Sequence, residues 1–174
     1  MSTSSSDGPS NAFSFRLEIA TERDIPLILS LITSLAEYEQ LSHAVDATED
    51  MLRESLFGRR AAETLIGYCD GEPAGFAMYF QTFSTFKGLP GMYLEDLYVL
   101  PKFRRHGLGT MFLKRLAQIA LERNYGRIEW SVLDWNELAI GFYRKLGAVP
   151  MDEWTVFRLK GEAIRALAQR DRRP

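Results

Sequence analysis

Two neighbouring carboxylates, Glu95 and Asp96, sit in a strand-like run, and a basic, glycine-spaced segment follows them in YLEDLYVLPKFRRHGLG (residues 93–109). In Arg104-x-x-Gly107-x-Gly109 the glycines let the backbone turn tightly and approach a ligand without Cβ obstruction. A helix that starts at Gly107 presents unpaired N–H groups at the positive end of its dipole, which suits a phosphate. Lys102, Arg104 and Arg105 add side-chain charge. The spacing is not a P-loop, because no Gly-Lys-Ser/Thr follows, and not a dinucleotide fingerprint, because the third glycine is missing. Carboxylates beside an anion site point to chemistry performed on a phosphate-bearing cofactor. Consecutive residues of a regular strand face opposite sides, so only one of the pair shares the pocket side unless a bulge intervenes. Glu95 is the favoured functional member.

The elements that must position these groups are legible in outline. Residues 13–20 read as a first strand, and T-E-R-D from Thr21 is a capping box ahead of Ile25, Ile28, Leu31, Ile32 and Leu35 at helical spacing. A second short helix is expected over 48–57. Strands over 64–68 and 74–80 flank Asp70-Gly71, a hairpin turn signal. Residues 81–91, with Gly, Pro and Ser, read as a loop before a strand over 92–99. The helix from Gly107 to about Arg123 carries an apolar stripe of Leu108, Met111, Phe112, Leu116, Ile119 and Ala120. A strand over 127–133 precedes a short helix capped by Asn136 and stopped at Gly147, then a last strand over 155–159 and a tail helix.

Composition excludes whole classes of mechanism. The chain has 174 residues, 46% hydrophobic and 25% charged, with a net charge of −2, as expected of one soluble domain without bulk affinity for nucleic acid. The single cysteine, Cys69, forbids an internal disulfide and a Cys-based zinc cluster, and it reads as a buried thiol. His43 and His106 lack metal-ligand spacing, so no metal is expected. No apolar run is long enough to span a membrane, and the Ser-rich opening MSTSSSDGPSNA reads as a disordered tail. A cytoplasmic location is the default. The organisation expected is a tail over 1–13 and a single domain over 14–174.

RRHGLG after a strand, followed by WNELAIGFYRKLG (residues 135–147), resembles the GNAT superfamily of acetyl-CoA-dependent N-acetyltransferases. SLAEYE, TEDMLRESLFG, GFAMYF, YLEDLYV and DEWTVFRL extend the likeness to the branch that acetylates diamines (spermidine and spermine) and thialysine. The resemblance covers residues 15–159. It implies a mixed α/β fold in three layers, with a splayed, mostly antiparallel central sheet flanked by helices. Acetyl-CoA would lie with its pantetheine arm along Leu97, Tyr98 and Val99, and its pyrophosphate on Arg104, Arg105, His106, Gly107, Leu108, Gly109 and Thr110. Asn136 would contact the cofactor arm. The resemblance assigns Glu95 as general base and Tyr143 as general acid, and lines the amine pocket with Tyr38, Glu39, Glu95, Asp96 and Trp154. It further implies a homodimer acting on a small-molecule amine; the charge balance and the lack of a long apolar run argue against a nucleic-acid or membrane partner.

The activity expected is acetyl transfer from acetyl-CoA to a small primary amine, polyamine-like or diamine-like, by direct attack in a ternary complex. Ser84 and Lys87 stand where polyamine enzymes tend to be more acidic, which keeps a thialysine-like amino acid open as the acceptor. Two readings from other classes also stay open: a CoA-binding sensor without turnover, and nucleic-acid binding through the tail bases Arg165, Arg170, Arg172 and Arg173.

Overall fold

A computed structural model describes residues 13–170. The tail expected over 1–13 therefore lies almost wholly outside the described residues, as do Arg172 and Arg173. The chain divides into two compact units, 1–131 and 132–174.

The first unit is built on a five-stranded sheet in the order β1-β2-β3-β4-β5, formed by Phe15–Ile19, Glu63–Cys69, Glu72–Ser84, Leu89–Val99 and Ile128–Trp130. β1 to β4 are antiparallel neighbours, whereas β5 runs parallel to β4. A parallel pair needs a crossover, and α3 (Leu108–Glu122) supplies it. The hairpin between β2 and β3 turns at Asp70 (φ 50°) and Gly71 (φ 87°), as the Asp-Gly pair predicts.

Both faces of the sheet are covered, which is why β2 reads as a nearly continuous apolar run. On one face Leu65, Ala77, Tyr79, Met92 and Leu94 pack against Leu108, Phe112, Leu116 and Ile119 of α3. On the other, Ile66, Phe76, Met78 and Tyr98 pack against Ile25, Ile28, Leu31 and Leu35 of α1 (Ile25–Tyr38). Thr21 and Asp24 form the expected capping box, though around a short 3-10 turn that leads into α1. The helix expected over 48–57 is a single α turn, α2 (Glu49–Leu52), that widens into π geometry over Arg53–Gly58.

The loop expected over 81–91 is mostly strand. β3 and β4 extend to Ser84 and Leu89, leaving a tight turn at 85–88 in which Gly88 N–H donates to Ser84 C=O at 2.8 Å. Gly, Pro and Ser mark a turn but not its length; ladder pairing carried the ribbon outward.

In the second unit α4 (Glu137–Lys145) is capped by the Asn136 side chain, which accepts from Ala139 N–H at 3.2 Å, and α5 spans Glu162–Ala168. Gly147 has the left-handed φ of 87° expected of a stop. The strand expected over 155–159 does not form. Alternating apolar residues supply only a propensity, and a strand is made by a neighbour to pair with.

Candidate active site

The register of β4 changes once. Met78 of β3 pairs with Asp96, and Tyr79 pairs with Leu94, so Glu95 is an extra residue with no partner of its own, a β-bulge. Leu94 and Leu97 both pack on the α3 face. Counting by twos forward from Tyr93 places Glu95 on the α1 face, and counting back from Tyr98 places Asp96 there too. The bulge therefore puts two sequence neighbours on one side of the sheet. Glu95 is exposed and Asp96 half-buried.

The C-terminal end of α1 closes this side. Glu39 follows α1 directly, and its carboxyl is pushed above the usual range by burial. Asp96 is raised to about 6, first by burial and then by the negative charges of Glu95 and Glu39. The charges of three carboxylates thus bear on one another here, and like charges in a partly dry site hold a proton that an ordinary aspartate would lose. Such a site attracts a cation.

A second feature follows along β4. Its ladder with β5 covers only Met92–Leu94, so the edge of β4 beyond Leu94 has no strand beside it among the described residues. Tyr93 Oη and Ser131 Oγ, 2.7 Å apart, pin the two strands where they part. Leu100 N–H donates to Ala74 C=O at 2.9 Å, and alternation then turns the main chain of Tyr98 toward β3 and that of Leu97 and Val99 outward. The Val99 carbonyl accepts from Arg104 Nε at 2.8 Å, leaving the Leu97 and Val99 N–H groups on the open edge.

The loop after β4 runs into α3 as the glycine spacing predicts. Arg105 (φ 67°) and Gly107 (φ 94°) are left-handed, and Met111 N–H is bonded to Gly107 C=O, so the amides of Leu108, Gly109 and Thr110 precede that bond. A Cβ at Gly107 would meet nothing within 4 Å, so the glycine serves the turn and keeps the approach clear. Side chains in this loop are more committed than the sequence suggests. Lys102 pairs with Glu72, Phe103 is buried, Arg104 stacks over Tyr38 at 4.2 Å, and the His106 ring lies 4.5 Å from that of Phe13. No local signal in the sequence announced the Arg104 and His106 contacts, because their partners are distant along the chain.

In the second unit, Asn136 spends its side chain on capping α4, and Tyr143 lies on α4 beside Phe142, with ring centres 5.4 Å apart. Trp154 follows the turn at 151–153, its N–H donating to Met151 C=O at 3.1 Å.

The acetyltransferase (GNAT) family profile matches residues 28–148. This chain belongs to the GNAT family. It is 40% identical over 165 residues to thialysine N-epsilon-acetyltransferase of Bos taurus, covering 86% of this chain and 94% of that one. It is 32% identical to human spermidine/spermine N(1)-acetyltransferase-like protein 1, covering 88% of this chain and 24% of the larger human protein. Among solved structures, an integron cassette protein from the mobile metagenome of V. cholerae superposes with a TM-score of 0.76 at 25% identity, covering 90% of this chain and 99% of that one. This GNAT protein is therefore an acetyltransferase, and the mixed α/β fold expected from the motifs is the one observed. Among the described residues, no helix is long and apolar enough to cross a membrane.

Proposed function

We propose that this GNAT protein moves an acetyl group from acetyl-CoA to a small aliphatic primary amine carrying a second cationic centre, by direct attack in a ternary complex. A thialysine-like amino acid is the first candidate acceptor and a diamine the second. The observation that carries the reading is the bulge that puts Glu95 and Asp96 on one face of the sheet within electrostatic reach of Glu39, with Asp96 raised to about 6. The name of the cattle relative supports the thialysine-like acceptor. Lys87 contributes little to that choice. It lies in the turn at the ribbon tip, past Ser84–Leu89, five ladder positions from the Tyr79–Leu94 pair. That is roughly 17 Å away and beyond the screening length of about 8 Å.

The residues present fit acetyl-CoA, which would supply the acetyl group as a thioester. The amides at 107–110 and the Arg105 side chain would hold its diphosphate, and the outward N–H groups of Leu97 and Val99 would hold its pantetheine arm as an added strand.

The acceptor arrives as an ammonium ion. With a pKa near ~10.4 it is roughly 99.9% protonated at pH 7, so freeing its lone pair costs about 4–5 kcal/mol. A carboxylate raised toward neutrality takes that proton more readily than an ordinary one, and Glu95, exposed at the bulge, can pass it to water. The same carboxylates also stabilise the ammonium form, so binding opposes deprotonation. A second cationic centre eases the conflict, because one carboxylate can hold it while another strips the reacting nitrogen. By the family resemblance Tyr143 would donate a hydrogen bond to the departing sulfur; full transfer from a phenol to such a thiolate is uphill by roughly 2 kcal/mol.

The test is CoA release across thialysine, lysine, putrescine, spermidine and an aliphatic monoamine with no second cationic centre. Release is expected with the amines that carry a second cationic centre, thialysine foremost, and not with the monoamine. Calorimetric uptake of acetyl-CoA without release on any amine would replace the enzyme with a sensor.

A further inference from the structure

Arg104 belongs by position to the phosphate loop, yet its side chain turns away from it. Its Nε donates to the Val99 carbonyl at 2.8 Å, and its guanidinium lies 4.2 Å from the Tyr38 ring centre and 5.4 Å from that of Tyr98. The two rings are themselves 6.2 Å apart and tilted by 47°, so the cation sits at the mouth between them. Tyr38 is the last residue of α1, whose final turn carries no basic residue. A helix C-terminus is the negative end of its dipole, and Glu37 and Glu39 sharpen that charge. Arg104 supplies from the loop the cation that α1 lacks. The turn beyond needs the support: Gln40 is left-handed at φ 61°, a conformation that strains any residue but glycine.

We propose that Arg104 is a positioning residue for the amine, a strut that fixes the Tyr38–Glu39 end of α1 against β4, and not a phosphate ligand. The inference rests on the acetyl-transfer reading above. It makes the amine site depend on a residue of the cofactor loop: Arg104 holds the Val99 carbonyl with one nitrogen and presents its cationic face to the wall that carries Glu39. Glu39 is one of the charges that raise Asp96, so the spacing of the carboxylates follows from this contact.

The experiment compares Arg104→Gln, which keeps a donor for Val99 but removes the cation, with Arg104→Lys, which keeps a cation near the rings. In Arg104→Gln the KM for the amine is expected to rise about tenfold, the loss of a half-buried cation–π contact. There kcat and the calorimetric Kd for acetyl-CoA should stay within about twofold, and Arg104→Lys should recover most of the amine KM. Hydrogen exchange at Gln40 and Leu41, whose amides donate to Glu37 and Ala36 carbonyls at 3.1 and 2.8 Å, should quicken in Arg104→Gln. A weakened acetyl-CoA Kd with an unmoved amine KM would return Arg104 to the phosphates and overturn the strut. So would unchanged exchange at Gln40 and Leu41, a readout that needs no turnover. Wild-type protein without turnover on any amine would instead defeat the acetyl-transfer reading, and the role of Arg104 in amine binding with it.

Discussion

Glu95 and Asp96 are adjacent in sequence yet lie on the same face of the sheet, because β4 carries one more residue than β3 between Leu94 and Asp96. The bulge unites the two carboxylates, and α1 adds Glu39 from across the sheet face. Opposite placement, the default for neighbours on a strand, would have sent one of them into the apolar cluster under α3.

Asp96 should make the protein less stable as pH rises. Its carboxyl is raised from 3.8 to about 6 in the folded chain, so the folded state holds a proton that the unfolded state releases. The contribution is fully present below pH 3.8 and is lost as pH rises through about 6. Asp96→Asn should be more stable than wild type by about 1–3 kcal/mol at pH 7.5 and close to it near pH 4, by urea denaturation at both values. Equal stability at pH 7.5 would mean that Asp96 carries no burial penalty.

Glu63 works in the opposite sense. It accepts from both Nη atoms of Arg123 and from the Tyr79 hydroxyl, joining β2 to the end of α3, and the Arg123 bond holds its pKa below the usual carboxylate range. Its stabilisation is present above the ordinary glutamate pKa and lost as pH falls through the lowered folded value. The pair is more than a third exposed, so Arg123→Ala should cost only about 1 kcal/mol at pH 7, and less at pH 3.5, in thermal melts.

Gly75 and Gly107 should fail differently. A Cβ at Gly75 would stand 2.2 Å from the Tyr98 carbonyl oxygen, so Gly75→Ala must push β3 off β4 beside the open edge, at a cost of about 2 kcal/mol or more. Gly107→Ala meets no neighbour and should cost about 1 kcal/mol through its positive φ. Melting curves for both, with acetyl-CoA titrations, would check the ranking; a wild-type melt for Gly75→Ala would contradict the close approach.

Tyr143→Phe should lower kcat by about tenfold or more while leaving the acetyl-CoA Kd within about twofold, since a donor to the leaving group acts mainly in the transition state. Unchanged turnover would remove Tyr143 from the mechanism.

Much of this protein was decided within a few residues of chain. The box of Thr21 and Asp24 and the Asn136 cap depend on side chains that meet their own backbone neighbours, and the Asp70-Gly71 turn and the left-handed Gly107 ahead of α3 on the conformations that those residues allow. Such local features can be read from spacing, and the ordered motifs carried the resemblance to the family. Tertiary structure alone decided the rest: the extra residue at Glu95, the raised proton affinity of Asp96, the turning of Arg104 onto Tyr38, and the failure of 155–159 to pair. Each of these depends on a partner far along the chain or on exclusion of water. A ladder register, a burial penalty and a stacked cation exist only once distant segments have been brought together.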